Sequence, residues 1–140
     1  MPSNDQAPVN VDAVMVPVET GCLLHNFAQD VVDVLEQLDR EYMPVVDSFA
    51  RCHPLGVVTR TDLRRITQSS EDALVSDALI AAVPHIRTGT GLHELSDRVT
   101  RASIALVVDG AGSLAGYLET AVVVAHLTRT DEQGNQGSDA

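Results

Sequence analysis

The chain has 140 residues, of which 44% are hydrophobic and 3% aromatic, and its formal net charge is −11. A surface this acidic repels nucleic-acid phosphates, so we expect no nucleic-acid partner. No apolar run approaches the ~20 residues of a membrane-spanning helix, and the N-terminus lacks the basic and apolar regions of a signal peptide. We therefore expect a cytoplasmic protein without membrane insertion, whose two cysteines form no disulfide framework.

The two ends of the chain differ from its middle. Residues 1–10 and 129–140 are polar and aperiodic, which predicts flexible termini. Between them the pattern divides into two halves, 11–67 and 74–128, joined by a turn-rich polar segment. A half of this size buries too little surface to be stable alone, so we expect the halves to share one core.

The first half predicts a short extended segment around Cys22–Leu24, followed by a helix. Apolar residues at helical spacing indicate that helix, with Asp30 as its N-cap: Val31, Val34, Leu35 and Leu38. Two β-rich runs, Pro44–Asp47 and Leu55–Thr59, flank a polar turn and predict an antiparallel hairpin. A second helix is predicted to begin near Thr61.

The second half predicts the same order of elements. An extended segment at Val83–Arg87 precedes a helix with a predicted cap at Thr90 and an apolar stripe of Leu92, Leu95 and Val99. A hairpin of Ile104–Asp109 and Leu114–Leu118 follows, and a last helix begins near Thr120. The fold class is therefore α/β, with two β-α-β-β-α repeats packed sheet face to sheet face.

The two halves end their hairpins with similar motifs but different chemistry. Pro44-Val45-Val46-Asp47 and Gly56-Val57-Val58-Thr59-Arg60-Thr61-Asp62-Leu63 correspond to Leu106-Val107-Val108-Asp109 and Gly116-Tyr117-Leu118-Glu119-Thr120. A repeat at this spacing indicates a repeated architecture. The strand-to-helix corner of the first half carries Thr59, Thr61 and Asp62. The second half has Glu119, Ala121 and Val122 in those places.

The first corner has the composition of a nucleotide site. Helix N-termini leave backbone N–H groups unpaired and attract phosphate. Thr59 and Thr61 add hydroxyl donors, and the Asp62 carboxylate can accept from the two hydroxyls of a ribose. The alternative is that these residues only cap the helix, since Thr and Asp are common caps.

These motifs together resemble a pair of CBS domains, the tandem repeat called a Bateman module. The resemblance covers about residues 11–128 and includes Val14-Met15 and Thr88-Gly89-Thr90-Gly91-Leu92. It implies a non-enzymatic regulatory module that forms homodimers, acts on an unknown partner protein and uses no catalytic cofactor. It also implies a cleft between the repeats for AMP, ADP, ATP or another adenosine derivative.

The resemblance also implies roles for individual residues. Thr59 and Thr61 would contact phosphate and Asp62 the ribose, while the segment that contains His85, Ile86 and Thr88 would contact the base. The second corner lacks the ribose-binding acid, and Glu119 would repel phosphate. We therefore expect one site per chain, or none.

Other functions remain open from the sequence. One is a ligand-free assembly module whose helices dimerise. Another is the regulatory part of an osmolyte-transporter-type system that senses a cyclic dinucleotide. A zinc set of Cys22, His25, Cys52 and His53 has poor ligand spacing, so no metal is expected. No nucleophile elbow or His-Glu-x-x-His motif indicates catalysis.

Overall fold

A computed structural model describes residues 9–18, 21–95 and 97–127, without the side chain of Arg98. In the first half the elements are α1 (Val11–Val14), β1 (Val16–Pro17), α2 (Ala28–Leu38), β2 (Tyr42–Val46), β3 (Pro54–Thr59) and α3 (Arg60–Ser69). A 3-10 turn at Val75–Ala78 leads to β4 (His85–Arg87), a second 3-10 turn at Leu92–Glu94, α4 (Asp97–Arg101), β5 (Ile104–Val108), β6 (Leu114–Glu119) and α5 (120–127). Most of the two termini predicted to be flexible lies outside these ranges.

The strands form one sheet for each half. The second sheet has the order β1-β6-β5-β4, and the first consists of β2 and β3. Single bridges extend the first sheet, parallel from Cys22 to Val45 and antiparallel from Val57 to Ile80. The predicted hairpins are confirmed, and both have a register shift at the same point, after Val45 and after Val107. The two sheets are therefore related as repeats.

Each sheet is completed by a segment from the start of the other repeat. β1 precedes the first hairpin in the chain but pairs with β6, with Val16 opposite Tyr117. The segment at Ile80 precedes the second hairpin but exchanges two backbone hydrogen bonds with Val57, of 3.0 and 2.8 Å. This exchange joins the repeats through backbone hydrogen bonds as well as through side chains.

Alternation along the hairpin strands divides the core into three layers. Successive side chains of a strand point to opposite faces, so Val45 and Val58 face α2 and α3, whereas Val46 and Val57 face the second sheet. In the second sheet Val107 faces the helical side. A shared layer lies between the sheets and contains Val46, Val57, Val83, Ile104, Leu106, Leu114 and Tyr117. The predicted packing of sheet face on sheet face is confirmed.

Two predicted helix starts are wrong. Asp30 lies in the first turn of α2, and the N-cap position belongs to Phe27, which makes no side-chain capping bond. The predicted second early helix begins as a 3-10 turn after Gly91, and the Glu94 carboxylate accepts from the Gly91 N–H at 2.6 Å. The Thr90 hydroxyl instead donates to the Arg87 carbonyl. At the second of these starts, the two short polar bonds fix where the helical turn begins.

The pairing of β1 with β6 predicts that Gly116→Ala destabilises the protein. A Cβ at position 116 would collide with the Val16 carbonyl oxygen, which is backbone and cannot move aside without disturbing the β1–β6 pair. We expect a loss of about 1–3 kcal/mol in the free energy of unfolding, measured by urea denaturation. Gly110→Ala is the matched control, because a Cβ there meets nothing within 4 Å. Equal stability of the two variants would contradict the close approach.

Candidate functional site

The corner between β3 and α3 is a capped helix start. The Thr59 hydroxyl oxygen accepts from the backbone N–H of Asp62 at 3.0 Å, and the Asp62 carboxylate lies 3.1 Å from the Arg65 guanidinium. Both side chains are partly exposed. Thr59 therefore caps α3, as the alternative interpretation of the sequence predicted. The Thr59 hydroxyl hydrogen remains available to a ligand because only its oxygen is used in the cap.

Glu41 occupies the N-terminus of α3. Its carboxylate accepts from the Thr61 N–H at 3.1 Å, and its carbonyl accepts from the Arg60 N–H at 2.7 Å. The Arg60 guanidinium lies 3.6 Å from the Glu41 carboxylate and 3.8 Å from Asp39. An anion at a helix N-terminus is stabilised by the unpaired N–H groups. At this corner the stabilised anion is a side chain of the protein itself.

The second-half residues predicted to contact a base lie on or after β4. His85 is exposed, whereas Ile86 is buried in the second helical core with Leu92 and Val107. The backbone N–H of Thr88 donates to the Val108 carbonyl. Within the described part of the chain, no hydrogen bond or ion pair joins these residues to Thr59, Thr61 or Asp62.

A large cavity lies elsewhere between the repeats and has a volume of about 840 Å³. Residues of α2 and the start of β2 form one wall, and residues of β1 and β6 form the other. Its lining consists of Pro17, Val18, Gly21, Cys22, Asn26, Asp30, Val31, Val34, Leu38, Arg40, Tyr42, Met43, Pro44, Ala115 and Tyr117. None of the six site residues predicted from the sequence is among them.

The cavity combines apolar walls with a few polar groups. Val34 and Leu38 of α2 remain 41% and 49% exposed, although they belong to the predicted apolar stripe, because they face this cavity and not the core. The rings of Tyr42 and Tyr117 lie with centroids 6.0 Å apart at an angle of 59°. Apolar walls with few convergent polar groups and a volume in this range are typical of small-molecule sites.

Comparison with known proteins identifies the fold. Residues 11–69 match the family model described as the CBS domain. Residues 11–69 are a CBS domain, and the chain has the fold of a tandem CBS module. The resemblance seen in the sequence is thereby confirmed. No protein of curated function is significantly similar to this chain in sequence.

Solved structures show the same fold at low sequence identity. The Arabidopsis thaliana protein CBSX2, in a complex with AMP, is 21% identical with a TM-score of 0.65, over 87% of this chain and 98% of its own. AcuB of Vibrio cholerae is 21% identical with a TM-score of 0.68, over 92% and 97% of the two chains. Staphylococcus aureus OpuCA is 22% identical with a TM-score of 0.65, over 84% and 98%.

Burial and nearby charges shift the pKa values of the two tyrosines that line the cavity. Burial raises the pKa of the Tyr42 hydroxyl, and the nearby Glu119 and Glu41 carboxylates raise it further. Burial also raises the pKa of Tyr117, against an opposing effect of the Arg40 charge and with a further rise from Glu119. Both hydroxyls are therefore neutral near pH 7 and can donate or accept a hydrogen bond.

The strand-to-helix corner of the second repeat lies next to these tyrosines. Glu119 is the last residue of β6 and lies two positions after Tyr117, hence on the same face of the strand. The Thr120 hydroxyl donates to the Val99 carbonyl at 3.4 Å, which ties it to α4. This corner therefore presents a carboxylate near the two tyrosines, and its Thr120 hydroxyl is already engaged within the repeat.

Cysteine modification tests the burial of the cavity wall. Burial raises the pKa of Cys22 to about 12, and its thiol lies 3.6 Å from the Pro44 carbonyl. At pH 8 only about one Cys22 in ten thousand would be a thiolate, which is the reactive form. We expect iodoacetamide at pH 8 to modify the partly exposed Cys52 and to spare Cys22 in the folded protein. In a Cys52→Ser variant, mass spectrometry should detect labelling only after denaturation. Rapid labelling of the folded variant would contradict the burial of the Cys22 thiol.

The described part of the chain contains no helix long and apolar enough to cross a membrane.

Proposed function

We propose that this protein is a non-enzymatic regulatory module that binds an adenosine-containing ligand in the cavity between its repeats. We assign the repeats to residues 11–67 and 74–128. The observation that carries the proposal is a cavity of about 840 Å³ whose walls come from both halves. The AMP complex of CBSX2, which has the same fold, supports adenosine as the common part of the ligand.

The lining offers a role for each part of such a ligand. A purine would lie between the aliphatic side chains of Val34 and Leu38 and the Tyr42 ring, since all three line the cavity. The Asp30 carboxylate would accept from ribose hydroxyls, with charged hydrogen bonds worth about 1.5–3 kcal/mol. The corner of Thr59, Thr61 and Asp62, with the segment of His85, Ile86 and Thr88, remains the alternative ligand position.

Ligand binding would act on the arrangement of the two repeats. Pro17, Val18 and Tyr117 line the cavity from the second sheet, whereas α2 and β2 line it from the first. A ligand that contacts both walls stabilises only the conformation in which the walls are at the right distance. A cytoplasmic partner protein that recognises that conformation would then respond to the ligand concentration.

Two variants distinguish the cavity from the first corner. Val34→Trp fills the cavity from the exposed side of α2, and we expect it to reduce adenosine affinity at least about 10-fold in calorimetry, since an occupied cavity excludes the base. Asp62→Ala should then leave affinity within about twofold. If the corner is the site, Asp62→Ala should instead weaken binding roughly 10- to 150-fold, the equivalent of 1.5–3 kcal/mol.

Gln37→Trp is the control for Val34→Trp. Gln37 is an exposed residue of the same helix that does not line the cavity. Affinity should be unchanged in this variant, and both Trp variants should unfold at similar urea concentrations. If adenosine and its derivatives neither bind nor raise the melting temperature at millimolar concentration, the ligand proposal is wrong. A ligand at 100 times its dissociation constant would raise the free energy of unfolding by about 2.7 kcal/mol.

We also propose that the module forms homodimers through its helices. Val122 and Val124 of α5 are 46% and 47% exposed, so this helix carries apolar side chains that a second copy of the chain could cover. Sedimentation at micromolar concentration should show a species of twice the 14.9 kDa chain mass. Val122→Lys should shift that species toward the monomer, because a buried unpaired charge is unfavourable. A wild-type protein that sediments only as a monomer would exclude the dimer at this concentration.

A further inference from the structure

Two residues of the cavity wall flank Glu41 in the chain. Arg40 and Tyr42 line the cavity, whereas Glu41 is absent from the lining and contacts α3 instead. Successive residues at the start of a strand point to opposite sides, which accounts for this division. The segment 40–42 therefore has one side in the cavity and the other side on the start of α3.

Glu41 binds the start of α3 with both its backbone and its side chain. Its carbonyl accepts from the Arg60 N–H at 2.7 Å, and its carboxylate accepts from the Thr61 N–H at 3.1 Å. The Arg60 guanidinium lies 3.6 Å from the same carboxylate. The Arg60 and Glu41 side chains are only 25% and 35% exposed, so water screens this pair less than a fully exposed one. These contacts hold the backbone directly before Tyr42, which pairs with Thr59 in the hairpin.

The helix dipoles favour this location of the Glu41 carboxylate. α2 ends at Leu38 and has no basic residue in its last turn, so a carboxylate close to its C-terminus is unfavourable. The same carboxylate is favourable at the N-terminus of α3, where backbone N–H groups have no partner within the helix. The charge of Glu41 therefore holds the segment before β2 against α3.

The packing of α3 on α2 does not depend on Glu41. The Glu36 carboxylate of α2 accepts from two guanidinium nitrogens of Arg64, at 2.7 and 3.1 Å. Leu35 of α2 and Leu63 of α3 are fully buried in the same core cluster. Loss of the Glu41 side chain should thus leave the two helices packed and change only the segment 40–42.

The two side chains that flank Glu41 face the space between the repeats. Among the residues that the structure describes, no carboxylate forms an ion pair with the Arg40 guanidinium. The ring of Tyr42 lies against that of Tyr117, which belongs to the second sheet. The position of the segment 40–42 therefore determines where a charged donor and an aromatic ring meet a ligand.

We propose that Glu41 is a positioning residue of the cavity, which binds the start of α3 and thereby holds Arg40 and Tyr42 in place for a ligand between the repeats. The proposal rests on the ligand site proposed above and adds to it a residue from outside the cavity lining. A ligand that meets a wall already held in place orders fewer side chains when it binds, so its affinity is higher.

Calorimetry with adenosine on a series of variants tests the proposal. Glu41→Ala removes every side-chain contact with α3 and should weaken adenosine binding about 3- to 10-fold, since two side chains must then be ordered by the ligand. Glu41→Gln keeps an oxygen that can accept from the Thr61 N–H and loses the charge, so its affinity should lie between those of Glu41→Ala and the wild type.

Glu36→Gln is the matched control. It changes the net charge equally and also removes an ion pair between the region of α2 and α3, but Glu36 is exposed and does not adjoin residues of the cavity lining. Its adenosine affinity should stay within about twofold of the wild type, because an exposed ion pair contributes little beyond its own position. Glu41→Gln and Glu36→Gln should unfold at similar urea concentrations.

Tyrosine fluorescence gives a second measurement that needs no ligand. The protein has two tyrosines and no tryptophan, and both tyrosines line the cavity. In a Tyr117→Phe background the emission comes from Tyr42 alone. Acrylamide should quench this emission more strongly after Glu41→Ala or Glu41→Gln, because Tyr42 is no longer held, and equally strongly before and after Glu36→Gln.

The possible failures are distinguishable. If adenosine binds the wild type and the Glu41 variants equally well, Glu41 is not a positioning residue, and the proposed ligand function stands. If Glu36→Gln weakens binding as much as Glu41→Gln, ion pairing between the helices is responsible and the assignment of Glu41 is wrong. If adenosine does not bind the wild type, the proposed ligand function fails. Quenching of Tyr42 then still decides whether Glu41 holds the cavity wall, and unchanged quenching would refute it.

Discussion

The joining of the two repeats depends on two points where the backbone of one repeat lies directly against the backbone of the other. At Gly56 and Gly116 the carbonyl oxygens of Ile80 and Val16 lie where any other residue would have its Cβ. The two glycines occupy the same place in the two repeats. Since each carbonyl belongs to a segment at the start of the opposite repeat, neither sheet is complete without the other half. Separation of the repeats would break backbone hydrogen bonds in addition to the shared apolar layer.

The same exchange accounts for the position of the cavity. After pairing with β6, the chain must cross from the second sheet to the first, where Cys22 meets Val45. Val18 follows β1 and Gly21 precedes Cys22, and both residues line the cavity. A ligand there would contact both repeats. A regulatory module needs this property, because binding is then sensitive to the arrangement of the repeats.

The strand-to-helix corners of the two repeats differ in their charged and polar groups. The first corner has hydroxyls and an acid, but Glu41 uses the helix N-terminus. The second corner has Glu119 in the place of Thr59 and lies near Tyr117, which lines the cavity. The hydroxyls and the acid of the sequence motif therefore lie at the first corner, whereas the cavity lies near the second.

The sequence by itself determined the features that depend on local periodicity. The hairpins, the alternation of Val45 and Val46, and the strand-to-helix corner at Thr59 follow from short patterns, since a strand alternates with period two and caps act within one turn. Only the tertiary structure decided which segment completes each sheet, and that Val34 and Leu38 face a cavity and not the core. It also placed Glu41 on the N-terminus of α3, 20 residues away in sequence from Thr61. These outcomes depend on contacts between distant parts of the chain, for which one sequence contains no periodic signal.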